Sequence, residues 1–394
     1  MQSVLYRLLQ FTRVVLPLTF LSMVLVCYMS VDSTAQQKTK DEWTFVSIPD
    51  FLNVDVKYPE PKWEEALSYV LESIKAEDPD FVLIAGDLVM GRWWRDVDQI
   101  NELSEFYYSA WTRRMQDHGL KYYAAVGDHE LGDNPWVRGG MREKEAMGTM
   151  HCTDLNNVSY YEDAFRKYLK MPLNGPSHMR GLAYYFVHKN SLFVSVDVFE
   201  KNMMGTAGRG LASVTGAQLK WLEQILAAHD DVDHIIVMGH TPILGPVRWK
   251  YSSRLMLAKG QDSVLWQTMK KNNVDLYLCG EVHAMTCIEA DGIEQISHGA
   301  LFGYDTTSNY MVVKVTPTSI KLELKEINTI ISGDYVSQSF GNQPREYVQI
   351  SKEEQKRGFQ TVGTMTVDKT GGKKAFVRKT GYFTEEGNPT DMNH

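Results

Sequence analysis

The chain has 394 residues, is 43% hydrophobic and 23% charged, and carries a formal net charge of -8. That is the composition of a folded globular protein with room for one large domain plus extensions, or two ordinary ones. The acidic balance, without a strongly basic block, disfavours nucleic-acid binding through phosphate contacts. It leaves open a phosphorylated small-molecule substrate, because bound metal ions supply positive charge locally.

Arg7 and Arg13 flank the start of an apolar run from Val14 to Met29, broken by Pro17, Thr19 and Ser22 and followed by Ser33-Thr34-Ala35-Gln36. This is the pattern of a signal peptide over residues 1–35, and it predicts an exported protein, periplasmic or extracellular. The run is shorter than the roughly 18 residues of a secure membrane span. An uncleaved N-terminal anchor is the alternative, and the membrane is a partner only in that case. Val26 before Cys27 is a poor fit to a lipoprotein signal. Export leaves Cys152, Cys279 and Cys287, an odd number with no disulfide framework and no Cys-x-x-Cys metal signature.

Trp43–Ile48 reads as a strand followed by Pro49-Asp50, and residues 62–75 carry apolar positions at helical spacing. Phe81–Ala85 is a short apolar run after Asp78-Pro79-Asp80 and runs into Gly86-Asp87: a buried strand whose tip delivers a carboxylate into a loop. The strand–helix–strand unit predicts a right-handed crossover. A second unit follows, with a helix over residues 98–116 presenting Ile100, Leu103, Phe106, Tyr107 and Trp111, then a strand over 121–126 ending in Gly127-Asp128-His129-Glu130.

Residues 133–180 read as an insertion with a helix near 161–169. Residues 183–188 and 191–196 read as two strands of a hairpin around Lys189-Asn190, closed by Asp197. Thr215 with Gln218 fits a capping box opening a helix to about residue 228. The strand at 234–238 ends in Gly239-His240-Thr241-Pro242, and the strand at 275–279 ends in Gly280-Glu281-Val282-His283. Short strands are expected from 292 to 327, and a polar, partly disordered C-terminal extension over 328–394.

Five strand ends therefore carry Asp50, Asp87, Asp128-His129-Glu130, His240 and Glu281-x-His283. In an open α/β sheet, ligands collect at the carboxyl ends of the strands. Four carboxylates gathered there cannot all ionise without a counter-charge. Divalent metals are the natural compensation, and mixed carboxylate and imidazole ligands suit Mn, Fe or Zn, with Mg suited to oxygen-only sets.

In this order the blocks resemble the calcineurin-like metallophosphoesterases, whose pattern is Asp-x-His, Gly-Asp, Gly-Asn-His-Asp/Glu, Gly-His and Gly-His-x-His, each after a strand. The resemblance spans about residues 43–300. It implies a four-layer α/β/β/α sandwich with mixed sheets and flanking helices, in a domain over 43–327. It also implies one or two divalent ions (Mn, Fe, Zn or Mg) and hydrolysis of a phosphomonoester or phosphodiester by metal-activated hydroxide. Carried across, Asp87 would bridge two metals, Asp50 and His283 would hold the first, and His240 with Asp128 and Glu281 the second. His129 would serve the leaving oxygen, and Glu130 would orient His129.

Three positions depart from the pattern. Leu52 stands where the family has His, so the first metal loses a ligand, with Asn53 or Asp55 as nearby substitutes. Asp128 replaces Asn and Glu281 replaces His, each exchanging a neutral ligand for an anionic one. The expectation is a firm second site and a weak first one, with a harder metal than Zn. The rival reading is a non-catalytic metal- or ligand-binding protein on the same scaffold. Arg92, Trp93 and Trp94 either line the pocket or pack, and neither the substrate nor the oligomeric state is readable.

Overall fold

The computed structural model describes residues 41–51, 55–93, 96–132, 157–199, 212–245, 255–299, 301, 307–332 and 347–384. The expected signal segment, Leu52, Asn53, Trp94 and Cys152 lie outside these residues, as does the insertion up to residue 156. All the elements below belong to the unit Glu42–His394.

The first half alternates β1 (Trp43–Ile48), α1 (Pro61–Ala76), β2 (Phe81–Ile84), α2 (Val97–Asp117) and β3 (Tyr122–Ala124). Proline occupies the first turn of α1, where its missing N–H costs nothing. The helix buries Trp63, Ala66, Leu67, Val70, Leu71 and Ile74, the face its spacing predicts. Asp96 caps α2 by accepting the Gln99 N–H at 2.7 Å. The buried face of α2 is rotated from expectation: Phe106 is 46% exposed, while Tyr108 and Arg114 are buried. Arg114 is accommodated on the buried face because its guanidinium reaches Glu64 on α1 and the carbonyls of Val56 and Lys57.

The second half holds α3 (Val158–Leu169), β4 (Tyr184–His188), β5 (Ser191–Ser195), α4 (Gly216–Ala228), β6 (His234–Met238), α5 (Val264–Lys271), β7 (Leu276–Cys279), β8 (Thr286–Ala290) and β9 (Ile293–Ser297). β4 and β5 form the expected antiparallel hairpin. The capping box on α4 gives way to a longer-range contact. The Gln218 side chain accepts the Asp197 N–H and donates to the Asp197 carbonyl, both at 2.8 Å. The region after 292 holds two ten-residue strands, β10 (Thr307–Thr316) and β11 (Ser319–Asn328), where short ones were expected. They are followed by β12 (Ile330–Ser332), β13 (Tyr347–Gln349), α6 (Lys352–Arg357), β14 (Gln360–Asp368) and β15 (Ala375–Gly381).

Two mixed sheets result, in the orders β15-β14-β11-β10-β1-β2-β3 and β4-β5-β6-β7-β9-β8, beside a two-stranded β12-β13 pair. Period-2 alternation decides how they are covered. Phe45, Phe81 and Leu83 of the first sheet join Phe193, Ile236, Met238, Leu276 and Leu278 of the second in one apolar cluster. The alternate residues Val46, Ile48, Val82 and Ile84, with Val194, Val237 and Tyr277, pack instead with helical residues such as Trp63, Leu67, Leu222 and Trp266. Sheet faces sheet, and each outer face carries helices, the α/β/β/α layering expected.

The C-terminal strands β14 and β15 complete the first sheet and fasten it to the second. Lys369 and Lys374 lie 3.1 and 3.3 Å from the buried carboxylate of Asp275, and Lys379 lies 2.8 Å from Glu294. Burial works to raise the Asp275 carboxyl, but His234, Lys374 and Lys369 hold it below its ordinary value.

Phe193 sits where the sheets meet, 3% exposed, with its ring 5.4 Å from Phe45, 5.2 Å from Phe81 and 4.9 Å from Phe186. Phe193→Ala is expected to cost about 3–5 kcal/mol. The check is urea unfolding, where the midpoint should fall at constant m-value. An unmoved midpoint would contradict this packing.

Candidate metal centre

Each candidate ligand leaves the carboxyl end of a strand. Asp50 follows β1, Asp87 follows β2 and Asp128 follows β3. His240 follows β6, and Glu281 and His283 follow β7. Strands β1–β3 run parallel in one sheet, and β5–β7 in the other, so both sheets present the same kind of edge. All six residues are at most 4% exposed. Asp87, Glu281 and His283 have φ of 56°, 64° and 54°, a left-handed backbone rare for such residues and typical of functional sites.

Two groups of ligand atoms come together within 4.8 Å: Asp87, Asp128, His240 and Glu281 in one, and Asp50, Asp87 and His283 in the other. Asp87 is common to both. His240 Nδ1 lies 2.8 Å from the Ala85 carbonyl, which only accepts, so Nδ1 carries the proton. Nε2 then aims a lone pair at Asp128 (3.2 Å), Asp87 (3.3 Å) and Glu281 (3.7 Å). Among the described residues, His240 Nε2, Asp87 Oδ2, Asp50 Oδ1 and both oxygens of Asp128 are buried and find no hydrogen-bond partner. A lone pair facing carboxylates is repulsive unless a proton or a cation lies between them. The donor set fits a divalent ion.

The electrostatics without an ion show the same conflict. Burial disfavours the His240 imidazolium, yet Asp87 and Asp128 hold its pKa well above the ordinary value. Burial pushes the Glu281 carboxyl up to about 7, with Asp128's charge adding to it. Asp87 is likewise raised, by burial and then by Asp128, against the pull of His240. His283 lies 3.1 Å from Asp50 Oδ2. Burial opposes its charge, and Asp50 overrides burial to raise its pKa.

A second layer holds these groups. The Asp50 carboxylate accepts the Glu281 N–H at 2.8 Å, and Glu281 Oε1 accepts the Leu255 N–H at 3.2 Å, leaving Oε2 toward His240. The glycines of the blocks are packing requirements. A Cβ on Gly280 would lie 2.1 Å from Asp50 Oδ1, and one on Gly127 would lie 2.1 Å from Asp87 Oδ1.

Glu130 behaves differently from expectation. Its carboxylate accepts the N–H groups of Asp87 (2.7 Å), Leu88 (2.8 Å) and Gly127 (2.8 Å), so it shapes the backbone around Asp87. Burial, then Asp87's charge, pushes its carboxyl up to about 7, against the pull of those donors. The His129 ring takes its orientation from the Met90 carbonyl, 2.6 Å from Nδ1. His129 Nε2 points toward the centre, 4.0 Å from Asp128 Oδ2.

Asp55 does not replace the ligand missing at 52, because its oxygens accept the Met90 N–H (2.9 Å) and the Trp93 indole N–H (2.8 Å). Trp93 is buried, with its ring 5.8 Å from Tyr161 and 6.0 Å from Tyr107, which decides for packing at that position. His298, which the sequence left open between lining the pocket and packing, directly follows β9. It is buried, bonded through Nε2 to Ser47 Oγ at 2.9 Å, and burial lowers its pKa to about 4. Its one sequence signal was its place after an apolar strand, the signal shared by the other blocks.

Among solved structures, PhoD matches with a TM-score of 0.51 at 12% identity, covering 88% of this chain and 73% of that one. GAP50, the anchor in the inner membrane complex of Plasmodium, matches with a TM-score of 0.41 at 17% identity, covering 79% and 90%. A putative 5'-nucleotidase of Staphylococcus aureus matches with a TM-score of 0.41 at 13% identity, covering 80% and 57%. No curated protein matches the sequence. At these identities the likeness to PhoD speaks for the fold alone. Residues 60–285 match the calcineurin-like phosphoesterase family, a stretch that begins after the altered block at Asp50 and takes in the other four. With more than half its length in that match, the chain belongs to the calcineurin-like phosphoesterase family.

Proposed function

We propose that this protein is an exported, metal-dependent hydrolase of a phosphomonoester or phosphodiester. The observation that carries the reading is the His240 lone pair aimed at three buried carboxylates, with the His129 imidazole beside them. Asp87, Asp128, His240 and Glu281 would hold one ion, and Asp50, Asp87 and His283 would hold a second, weaker one. Such ions supply Lewis acidity toward a phosphoryl oxygen and activate water.

The chain's own residues supply placement and protons. Glu130 fixes the backbone that aims Asp87. His129 keeps a proton on Nδ1 at the Met90 carbonyl and presents Nε2 to the leaving oxygen, where a charged ring donates a proton. Three carboxylates to one imidazole favour a hard ion, Mn or Mg, over Zn in the fuller site. The substrate is a phosphorylated small molecule. Export is read from the basic residues and apolar run at the N-terminus.

Metal analysis of the full chain purified without chelators tests the centre. Asp128→Ala and Glu281→Ala should each weaken binding by at least tenfold in titration, and unchanged binding in both would refute the assignment. Glu130→Gln, which touches no proposed ion, should lower metal affinity about 10–100-fold by loosening Asp87. His129→Ala should keep its metal and lose about 10²–10⁴-fold in kcat toward an activated phosphoester. A full kcat in that variant would remove the proton-donor role. A protein that takes up no metal after reconstitution would favour the binding-protein reading.

A further inference from the structure

The geometry points to Asp55 as a positioning residue for His129, acting through Met90. The inference rests on the reading of His129 given above. It begins with how little of His129's surroundings is local. Its Nδ1 is set by the carbonyl of Met90, a residue in the loop between β2 and α2. A carbonyl only accepts, so this bond keeps the proton on Nδ1 and leaves Nε2 to face the centre. Whatever fixes Met90 therefore fixes which nitrogen works and where it points.

Asp55 does that fixing. One oxygen accepts the Met90 N–H at 2.9 Å and the other accepts the Trp93 indole N–H at 2.8 Å, so a single carboxylate spans the loop. Trp93 is itself immobilised, its N–H donating to the Tyr161 hydroxyl at 3.0 Å and its ring stacked with those of Tyr161 and Tyr107. The loop also lies directly against the His129 main chain. Gly91 has φ of 67°, and a Cβ there would come within 1.8 Å of the His129 carbonyl oxygen. Behind Asp55, the following residues are held in turn: Arg114 donates to the carbonyls of Val56 and Lys57 and to Glu64. The path from α1 and α2 to the imidazole is continuous, through Arg114, the 55–57 segment, Met90 and His129. None of these four contributes to either group of candidate metal ligands.

The test compares the full chain with Asp55→Ala, Asp55→Asn and Trp93→Phe, all loaded with magnesium. Two readouts are taken. Hydrolysis of bis(p-nitrophenyl) phosphate gives kcat and KM. Long-range proton–nitrogen spectra of ¹⁵N-histidine protein give the tautomer of His129, assigned with His129→Ala. The expectation for Asp55→Ala is a fall in kcat of about 10–100-fold, with KM and magnesium affinity unchanged. The His129 signal should move from a single Nδ1–H tautomer to a mixture. Asp55→Asn, which keeps one accepting oxygen, and Trp93→Phe, which removes one donor, should fall between.

An unchanged His129 tautomer in Asp55→Ala overturns the inference, as does a loss of magnesium that accounts for the loss of rate. If Asp55→Ala does not fold, Trp93→Phe and Asp55→Asn decide by the same two readouts, and unchanged spectra in both overturn it. A wild-type chain with no hydrolytic activity would refute the proposed function. The spectra would still decide whether Asp55 positions the ring.

Discussion

The structure depends on keeping several carboxylates and an imidazole lone pair together out of water. An uncompensated buried charge costs several kcal/mol, and Asp50, Asp87, Asp128 and Glu281 are all buried in the two groups of candidate ligands. No such cluster assembles by hydrophobic collapse alone. What assembles it is the rigid pair of sheets, whose apolar interiors fix where each strand stops. The polar residue after each stop is carried to the common edge whether or not it would prefer to be there. The left-handed backbone at Asp87, Glu281 and His283 marks where that compulsion is taken up locally.

The second layer follows from the same constraint. Three of the ligands are tied to main-chain groups from elsewhere in the chain: Asp50 to the Glu281 N–H, His240 to the Ala85 carbonyl, Glu281 to the Leu255 N–H. Main-chain groups are held by the sheets themselves, so the aim of the site inherits the stiffness of the strands. Glu130 extends this logic by one step, since it holds three N–H groups around Asp87 and binds nothing at the centre directly. The motif glycines serve the same end. Gly280 and Gly127 leave the space that the carboxylates of the neighbouring blocks occupy.

This explains what the sequence could and could not disclose. A short apolar run ending in a turn residue and then a polar one is a local signal, and the place of Asp50, Asp87, Asp128, His240, Glu281 and His283 at strand ends was legible from it. The layering was expected from the family resemblance, and the structure realises it by letting Phe45 and Val46, or Phe81 and Val82, alternate between the two apolar clusters. Contacts between residues far apart in the chain left no such trace. Asp55 looked like a spare metal ligand, and its partners Met90 and Trp93 are fixed only once the loop folds back. Gln218 looked like half of a capping box, although its partner is Asp197. The helical spacing put Phe106 on the buried face of α2 and not Arg114, because it does not show an arginine satisfied by the carbonyls of another segment. The role of the C-terminal strands rests on lysines that meet Asp275 and Glu294 across the two sheets.

The anionic residues at 128 and 281 bear on the chemistry in two opposed ways. Each added carboxylate strengthens the hold on a hard cation by direct Coulomb attraction. Each also neutralises part of the charge that the same cation would offer to a phosphate. With Asp50 and Asp87 they bring four carboxylates to the centre, enough at full ionisation to balance two divalent ions. Under the proposed function, a centre so balanced would draw an approaching phosphate dianion weakly from a distance, and more of the work would pass to donors that act at contact range. On that reading His129 would be the donor for that task, since it lies 4.0 Å from Asp128 and is held at Nδ1 by Met90. The more the ligands cancel the field of a bound metal, the more the proposed reaction would rest on the aim of that one imidazole, and Asp55 would enter the account of the site through its hold on Met90.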